Sequence, residues 1–140
     1  MIEAPDPILV VDDESIVRRM VVDVLAAAGI TAFGVESGEV ALETLKERRV
    51  RMVITDNNMP GIQGLDLLQQ IRASYGDLPV ILMTAYGRVE TSIKAHDLGA
   101  DGFLLKPFDD INVIIEEVEA VLARVARRRA TPAPGGSGSG

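Results

Sequence analysis

Five short apolar runs, rich in β-branched residues, alternate along the chain with longer segments in which apolar residues recur at helical spacing. The runs begin between 20 and 28 residues apart and occupy residues 8–11, 31–35, 51–55, 79–83 and 102–105. Because they lack strict polar–apolar alternation, the runs are typical of strands that are covered on both faces. The repeated strand–helix unit predicts an α/β domain with an open parallel sheet and helices on both sides of it.

The segment after each of the five predicted strands has the pattern of an amphipathic helix. The first has an apolar face of Ile16, Met20, Val21, Val24 and Leu25, and the next three cover about residues 37–48, 64–74 and 88–98. The second centres on Val40, Ala41 and Leu45. The fourth has Val89 and Ile93 as its only large anchors before Leu98, with His96 expected to pack partly beside them. The fifth begins near residue 109, and its spacing of Ile111, Val118 and Val125 fits either a heptad seam or packing on the sheet.

Length and composition restrict the chain to a single domain of ordinary globular character. The 140 residues are 47% hydrophobic and contain no cysteine, which excludes a disulfide scaffold and thiolate chemistry. No apolar run reaches the roughly 18 residues that cross a membrane. We expect an N-terminal arm at 1–7, a folded domain at 8–126, and a flexible linker or engineered tail at 127–140, where Pro, Gly and Ser dominate the end of the chain.

The charge is unevenly distributed. Net charge is −7, and all 21 acidic residues precede Arg124, whereas four of the 14 basic residues lie at or after it. An acidic body disfavours direct binding of nucleic-acid phosphates. It favours a bound cation or a basic partner.

Polar residues follow four of the five predicted strands. They are Asp12, Asp13 and Glu14, then Asp56, Asn57 and Asn58, then Thr84 and Ala85, and finally Lys106 and Pro107. In a doubly wound sheet of order 2-1-3-4-5 these four strands are adjacent, and ligands bind at their carboxyl ends. Oxygen ligands without His or Cys suit Mg²⁺, and a nearby hydroxyl and ammonium would receive an anion. Together these carboxylates, the hydroxyl and the ammonium are the groups that phosphoryl transfer requires.

Each of these features also has a purely structural interpretation. The acidic triplet could cap a helix, Asn57 and Asn58 could form a turn, Thr84 could be an N-cap, and Lys106 could be a surface ammonium. Their coincidence on four neighbouring strands favours a site. A calcium loop starting at Asp56 is excluded, because Pro60 and Leu67 occupy two of its ligand positions.

Four segments resemble the receiver domains of response regulators in two-component signalling. They are ILVVDDE (8–14), VITDNNMPGIQGLDLL (53–68), VILMTAYG (80–87) and GADGFLLKPF (99–108), within a resemblance that spans about residues 8–125. The resemblance implies a flavodoxin-like, doubly wound, five-stranded parallel sheet of order 2-1-3-4-5.

The resemblance also implies a role for each site residue. Asp56 would accept a phosphoryl group from a phosphohistidine, and Mg²⁺ would be bound by Asp13, Asp56 and the Asn58 carbonyl, with Asp12 holding it through water. The phosphoryl oxygens would contact Thr84 and the Ala85 amide, and Lys106 would pair with Asp56 or its phosphate. The structural and switching roles fall to a cis peptide between Lys106 and Pro107, to Phe103 as an aromatic switch, and to Tyr86, which either shields the phosphoryl group or only covers the mouth.

The implied function is a signalling module that catalyses only its own phosphorylation and dephosphorylation. Its expected partners are a histidine kinase or phosphotransfer protein, and an output domain or partner protein contacted through the fourth helix, fifth strand and fifth helix. Homodimers on phosphorylation, a cytoplasmic location, and no direct nucleic-acid or membrane binding are further expectations. Two alternative functions are considered. One is a phosphate-ester hydrolase acting through an aspartyl phosphate, for which the sequence shows no cap domain or substrate loop. The other is an interaction module with a vestigial pocket. A flavin site is disfavoured, because the acidic triplet would repel a phosphate.

Overall fold

Five strands and five helices alternate within residues 5–85, 89–108 and 110–130, which the computed structural model describes. The strands form one parallel sheet of order β2-β1-β3-β4-β5, which confirms the predicted single α/β domain and its topology. The elements in chain order are β1 Ile8–Val11, α1 Ser15–Ala27, β2 Ala32–Val35, α2 Gly38–Glu47, β3 Met52–Asp56, α3 Gly64–Tyr75, β4 Val80–Ala85, α4 Val89–Asp97, β5 Gly102–Lys106 and α5 Asn112–Ala130.

The last three strands run one or two residues further than the sequence predicts. Asp56 ends β3, Ala85 ends β4 and Lys106 ends β5, so these residues belong to the strands that we expected them to follow. Asp56 is in register with Met83, and Ala85 is in register with Lys106. The ladder between the strands therefore fixes the backbone at the carboxyl edge of the sheet.

Alternate residues of each strand pack into two separate hydrophobic clusters. Ile8 and Val10 join the cluster beneath α1 and α5, and Leu9 and Val11 join the cluster beneath α2, α3 and α4. All four side chains are fully buried. This two-sided burial explains why the central strands are continuously apolar instead of alternating.

Several predicted helix anchors are exposed. Ile16 is 83% exposed because the first turn of α1 follows the end of β1, where the sheet no longer covers it. Among the described side chains of α4 the buried one is Ala95, whereas Ile93 is 59% exposed and His96 is also exposed, so the expected packing of both was wrong. Val40 is likewise exposed, since α2 turns the neighbouring Ala41 toward the sheet.

The long α5 packs on the sheet along one face. Val118 and Val125 are buried with Ile114 and Val121, and Ile111, which precedes the helix, is exposed. Packing on the sheet therefore accounts for the seven-residue spacing. The helix continues to Ala130, so residues 127–130, which we expected in the tail, are helical; residues 131–140 lie outside the described ranges.

Asp101 ties the end of α5 to the amino-terminal edge of the sheet. Its carboxylate accepts hydrogen bonds from Arg72 Nη2 at 2.8 Å and from the Val80 backbone N–H at 2.9 Å. Arg124 Nη2 donates to the Asp101 carbonyl oxygen at 2.8 Å, and Arg128 Nη2 lies 3.4 Å from Asp101 Oδ1. The turn before β5, the start of β4 and the last turns of α5 are thereby joined at one residue.

Among the described residues, no helix is both long enough and apolar enough to span a membrane.

Candidate functional site

Three carboxylates meet at the carboxyl edge of the sheet. Asp12 directly follows β1 and is fully buried, Asp56 ends β3 and is 3% exposed, and Asp13 is exposed. One carboxylate oxygen from each of the three residues lies within 4.8 Å of the others. Carboxylates this close repel one another in the absence of a cation. The donor set consists of hard oxygen atoms, which fits Mg²⁺.

Lys106 places its ammonium group between the two buried carboxylates. Nζ lies 2.8 Å from Asp12 Oδ2 and 2.9 Å from Asp56 Oδ1. A third carboxylate oxygen, Oε1 of Glu14, lies 3.5 Å from the same Nζ. One ammonium among these carboxylates leaves the cleft net negative, so it retains capacity for a further cation.

The pKa values of both members of the central ion pair are raised. Burial raises the pKa of Asp56, and the ammonium of Lys106 offsets only part of this effect. Burial alone would lower the pKa of Lys106, but its hydrogen bonds to the carboxylates of Asp12 and Asp56 outweigh burial and raise the pKa overall. Lys106 is therefore a stable cation at neutral pH, and Asp56 is a more basic carboxylate than an exposed aspartate.

Thr84 brings a buried hydroxyl to the same edge. It lies in β4 in register with Leu105, and β4 pairs with β3, which ends in Asp56. The side chain is fully buried, and Oγ1 has no hydrogen-bond partner among the described residues. A buried hydroxyl without a partner is unfavourable, so this atom is ready to bind a polar group. The neighbouring Ala85 is in register with Lys106.

The turn after Asp56 is fixed by Asn57 and Gly64. The buried Asn57 donates its backbone N–H to the Met83 carbonyl oxygen at 2.9 Å, and its Oδ1 accepts from the Leu65 N–H at 3.0 Å. A Cβ at Gly64 would lie 2.5 Å from the Asp56 carbonyl oxygen, so only glycine fits there. These contacts fix the start of the turn that carries the exposed Asn58. Sequence reasoning missed the role of Asn57, because it lies seven residues before α3, whereas the N-cap position where an Asn would signal a helix start is occupied by Gln63.

Phe103 and the Lys106–Pro107 peptide lie on or directly after β5, the strand at one edge of the sheet. Phe103 is half-buried, is in register with Leu82, and donates its backbone N–H to Glu117 Oε2 of α5 at 2.8 Å. The peptide bond between Lys106 and Pro107 is cis. Tyr86 lies outside the described residues.

Two further contacts at the cleft were not expected from the sequence. Glu14 approaches Lys106, as described above, and Arg18 Nη1 donates to the Asp12 carbonyl oxygen at 2.7 Å. The available signal was helical spacing, because Glu14 and Arg18 are one turn apart at the start of α1, where the Arg18 N–H donates to the Glu14 carbonyl oxygen.

Comparison with known proteins identifies the domain type. A family profile described as the response regulator receiver domain matches residues 8–119. The chain is 39% identical over 133 residues to the response regulator protein FleR of Pseudomonas aeruginosa, an alignment that covers 95% of this chain and 26% of FleR. It is 36% identical over 121 residues to the chemotaxis protein CheY of the same organism, covering 84% of this chain and 97% of CheY.

Solved structures agree with the sequence comparison. The crystal structure of NtrX from Brucella abortus in complex with ADP superposes with a TM-score of 0.84 and 31% identity, covering 90% of this chain and 29% of NtrX. The chain thus spans about a quarter of the length of FleR and nearly the whole of CheY. Since the family profile covers most of the chain and the fold matches, the chain belongs to the response regulator receiver domains of two-component systems.

Proposed function

We propose that this domain is a phosphoacceptor that takes a phosphoryl group from a phosphohistidine onto Asp56. The observation that carries the proposal is the position of Asp56. Its carboxylate is nearly buried, lies 2.9 Å from the Lys106 ammonium and shares the cleft with Asp12 and Asp13. Lys106 supplies positive charge where phosphoryl oxygens would arrive, and burial keeps the carboxylate basic.

The transfer step is a displacement at phosphorus. A carboxylate oxygen of Asp56 forms the new O–P bond while the P–N bond to the donor imidazole breaks, and the bonding electron pair leaves with the imidazole nitrogen. Thr84 Oγ1 and the Ala85 amide donate to phosphoryl oxygens, and Lys106 balances their charge. Loss of the group is the attack of water at phosphorus, which returns the Asp56 carboxylate and inorganic phosphate.

The carboxylate cluster fits a magnesium ion. Asp13, Asp56 and the Asn58 carbonyl oxygen would bind it directly, and Asp12 would hold it through water, since Lys106 already occupies Asp12 Oδ2. When bound, Mg²⁺ would neutralise charge shared by the carboxylates and the phosphoryl oxygens.

The signal would leave the cleft through Thr84. Its hydroxyl has no partner among the described residues, so a phosphoryl group on Asp56 would offer it a strong acceptor. Movement of Thr84 would make space for Phe103 to turn inward. Because the small Ala95 is the buried one among the described side chains of α4, and Ile93 faces solvent, we expect this helix to shift at low energetic cost. The face formed by α4, β5 and α5 then changes shape.

The partners follow from this scheme. We propose a histidine kinase or phosphotransfer protein as donor and an output domain or partner protein that reads the α4-β5-α5 face, with homodimer formation on phosphorylation as one form of readout. The domain would act in the cytoplasm and would not contact nucleic acid itself.

Incubation with acetyl phosphate and Mg²⁺ tests the proposal. Mass spectrometry should find one phosphoryl group per chain, labile in alkali as an acyl phosphate is, and located at Asp56. The variant Asp56→Asn should not be labelled, while Asp66→Asn, a matched change at an exposed aspartate of α3, should behave as the wild type. A stable phosphate on Ser or Thr would contradict the scheme. Rapid turnover of a simple phosphomonoester would instead favour the hydrolase.

A further inference from the structure

Both backbone hydrogen-bonding groups of Asp12, its N–H and its carbonyl oxygen, have partners. Its N–H donates to the Val35 carbonyl oxygen of β2 at 3.2 Å, and its carbonyl oxygen accepts from Arg18 Nη1 at 2.7 Å. Its side chain is equally engaged, because Oδ1 accepts from the Glu14 N–H at 2.9 Å and Oδ2 binds Lys106. Asp12 is therefore locked in place by four separate contacts.

Arg18 consequently also fixes the residue that follows. The carbonyl oxygen of Asp12 and the Cα of Asp13 belong to the same planar peptide unit, so neither can rotate without the other. Asp13 is exposed, and no side-chain hydrogen bond or ion pair to it is found among the described residues. Its direction toward the cleft is therefore set by its backbone, and the guanidinium of Arg18 holds that backbone.

The path of the Arg18 side chain depends on Gly34. A Cβ at Gly34 would lie 2.6 Å from Arg18 Cγ and 2.8 Å from Cδ, so the aliphatic stem crosses β2 where there is no side chain. Gly34 is in register with Val10 of β1, two residues before Asp12. Gly34 of β2 thus leaves room for the side chain of Arg18 of α1 to reach the end of β1.

We propose that Arg18 is a positioning residue that orients Asp13 for Mg²⁺ through the Asp12–Asp13 peptide, and that Gly34 provides the space it needs. This inference rests on the metal site in the proposed function. It assigns Arg18 no contact with the ion or the phosphoryl group. Residues that orient metal ligands in this indirect way typically change metal affinity by about 10- to 100-fold when they are replaced.

Because Arg18 is positively charged, a role in orienting Asp13 can be distinguished by experiment from a simple electrostatic effect on the metal. Removing a positive charge near a cation site should tighten Mg²⁺ binding by Coulomb's law. Loss of ligand orientation should weaken it. The two explanations therefore predict opposite signs for the same variant, Arg18→Met, which keeps an apolar stem and removes the guanidinium.

The experiment is a Mg²⁺ titration followed by amide NMR shifts of Asp13 and Glu14, with thermal unfolding in metal-free buffer to verify folding. We expect Arg18→Met to bind Mg²⁺ about tenfold more weakly than the wild type or worse. Gly34→Ala, which retains the Arg18 charge and displaces its stem, should weaken binding in the same direction. The matched control is Arg19→Met, an exposed neighbour on α1, which should remain within about twofold because exposed charge is screened.

Tighter or unchanged Mg²⁺ binding by Arg18→Met overturns the inference, as does equal weakening in Arg19→Met. Arg18→Lys covers the case in which Arg18→Met is unfolded, since it keeps the charge but replaces the guanidinium that donates to the Asp12 carbonyl oxygen, and it too should bind Mg²⁺ more weakly than the wild type. If every Arg18 and Gly34 variant is unfolded, their role is structural and the inference is wrong. If the wild type itself shows no Mg²⁺ shifts, the metal site of the proposed function fails as well, which is a separate and recognisable result.

Discussion

Asp12 and Asp56 are held together by a single ammonium group, since Lys106 Nζ lies 2.8 Å from an oxygen of the first and 2.9 Å from an oxygen of the second. Asp12 directly follows β1 and Asp56 ends β3, and the lysine comes from β5 at the edge of the sheet. A phosphoryl group on Asp56 would add negative charge within reach of this lysine. Under the proposed function, we therefore expect this ion pair to rearrange when Asp56 is phosphorylated.

Replacement of Lys106 by Met should destabilise the fold in metal-free buffer by about 3 to 5 kcal/mol, because two buried carboxylates lose their common cation. Urea unfolding measures the loss. The double variant Asp12→Asn/Lys106→Met should recover part of it, since one of the uncompensated charges is then removed. A Lys106→Met protein as stable as the wild type would show that the ion pair contributes little.

Replacement of Asp13 by Asn should remove Mg²⁺-dependent labelling and leave the fold intact. The exposed Asp13 carboxylate contributes to repulsion among the three acidic groups, so the thermal midpoint without metal should be equal to or above that of the wild type. Labelling with acetyl phosphate and a thermal scan are the two measurements. Asp23→Asn, an exposed aspartate further along α1, is the control and should label normally. Normal labelling of Asp13→Asn would contradict its assignment as a metal ligand.

Replacement of Thr84 by Ala should separate phosphorylation from its transmission. The variant should still accept the phosphoryl group at Asp56, but amide exchange in residues 89–108 should no longer respond to a beryllium fluoride mimic. Because the hydroxyl has no partner among the described residues, its removal should not lower stability. Thr84→Ser keeps the hydroxyl and should respond as the wild type does. An equal response in wild type and Thr84→Ala would move the coupling to Lys106 or to the metal.

Replacement of Asp101 by Ala should destabilise the domain without affecting the cleft. The change leaves the Val80 N–H without its side-chain acceptor and removes the carboxylate partner of Arg72, which should cost about 2 kcal/mol. The Arg72 guanidinium keeps its hydrogen bonds to the carbonyl oxygens of Leu78 and Gly99. Asp97→Ala, at an exposed position near the end of α4, should stay within about 0.5 kcal/mol of the wild type. Labelling of Asp56 should be unchanged in both variants. Equal stability of the two variants would mean that Asp101 is not the tether described above.

Two features of this domain can be predicted from the sequence: the repeated strand–helix unit and the polar residues at the ends of the apolar strands. Buried strands are uniformly apolar, so the polar residues at their ends, such as Asp12, Thr84 and Lys106, stand out. Helix orientation is less predictable, because Ile16 and Ile93 have the correct spacing and yet face solvent, where the sheet or a neighbouring helix does not cover them. Spacing reports which residues share a face, but only tertiary packing decides how far that face is covered.

Most individual contacts between residues far apart in the chain were not predicted, and the pairing of Lys106 with Asp56 was implied only by the family resemblance. Lys106 and Asp12 are separated by 94 positions, and Arg72 and Asp101 by 29. Neither pair has a local signature, because each charge is also plausible at a solvated surface. Knowing the order of the strands brings their ends together, but it does not say which of several carboxylates a long lysine side chain selects.

The tether at Asp101 has a geometric consequence for how the domain can work. Asp101 precedes β5 and Lys106 ends it, so the clamped end of α5 and the acidic cleft lie at opposite poles of the sheet, separated by a strand of about 15 Å. Under the proposed function, a change at Asp56 would have to reach the last turns of α5 through elements that run between the two ends of the sheet, such as β5 and α1, which both pack against α5. Loosening Arg124 or Arg128 from Asp101 would then free the last turns of α5 without altering any contact of the cleft.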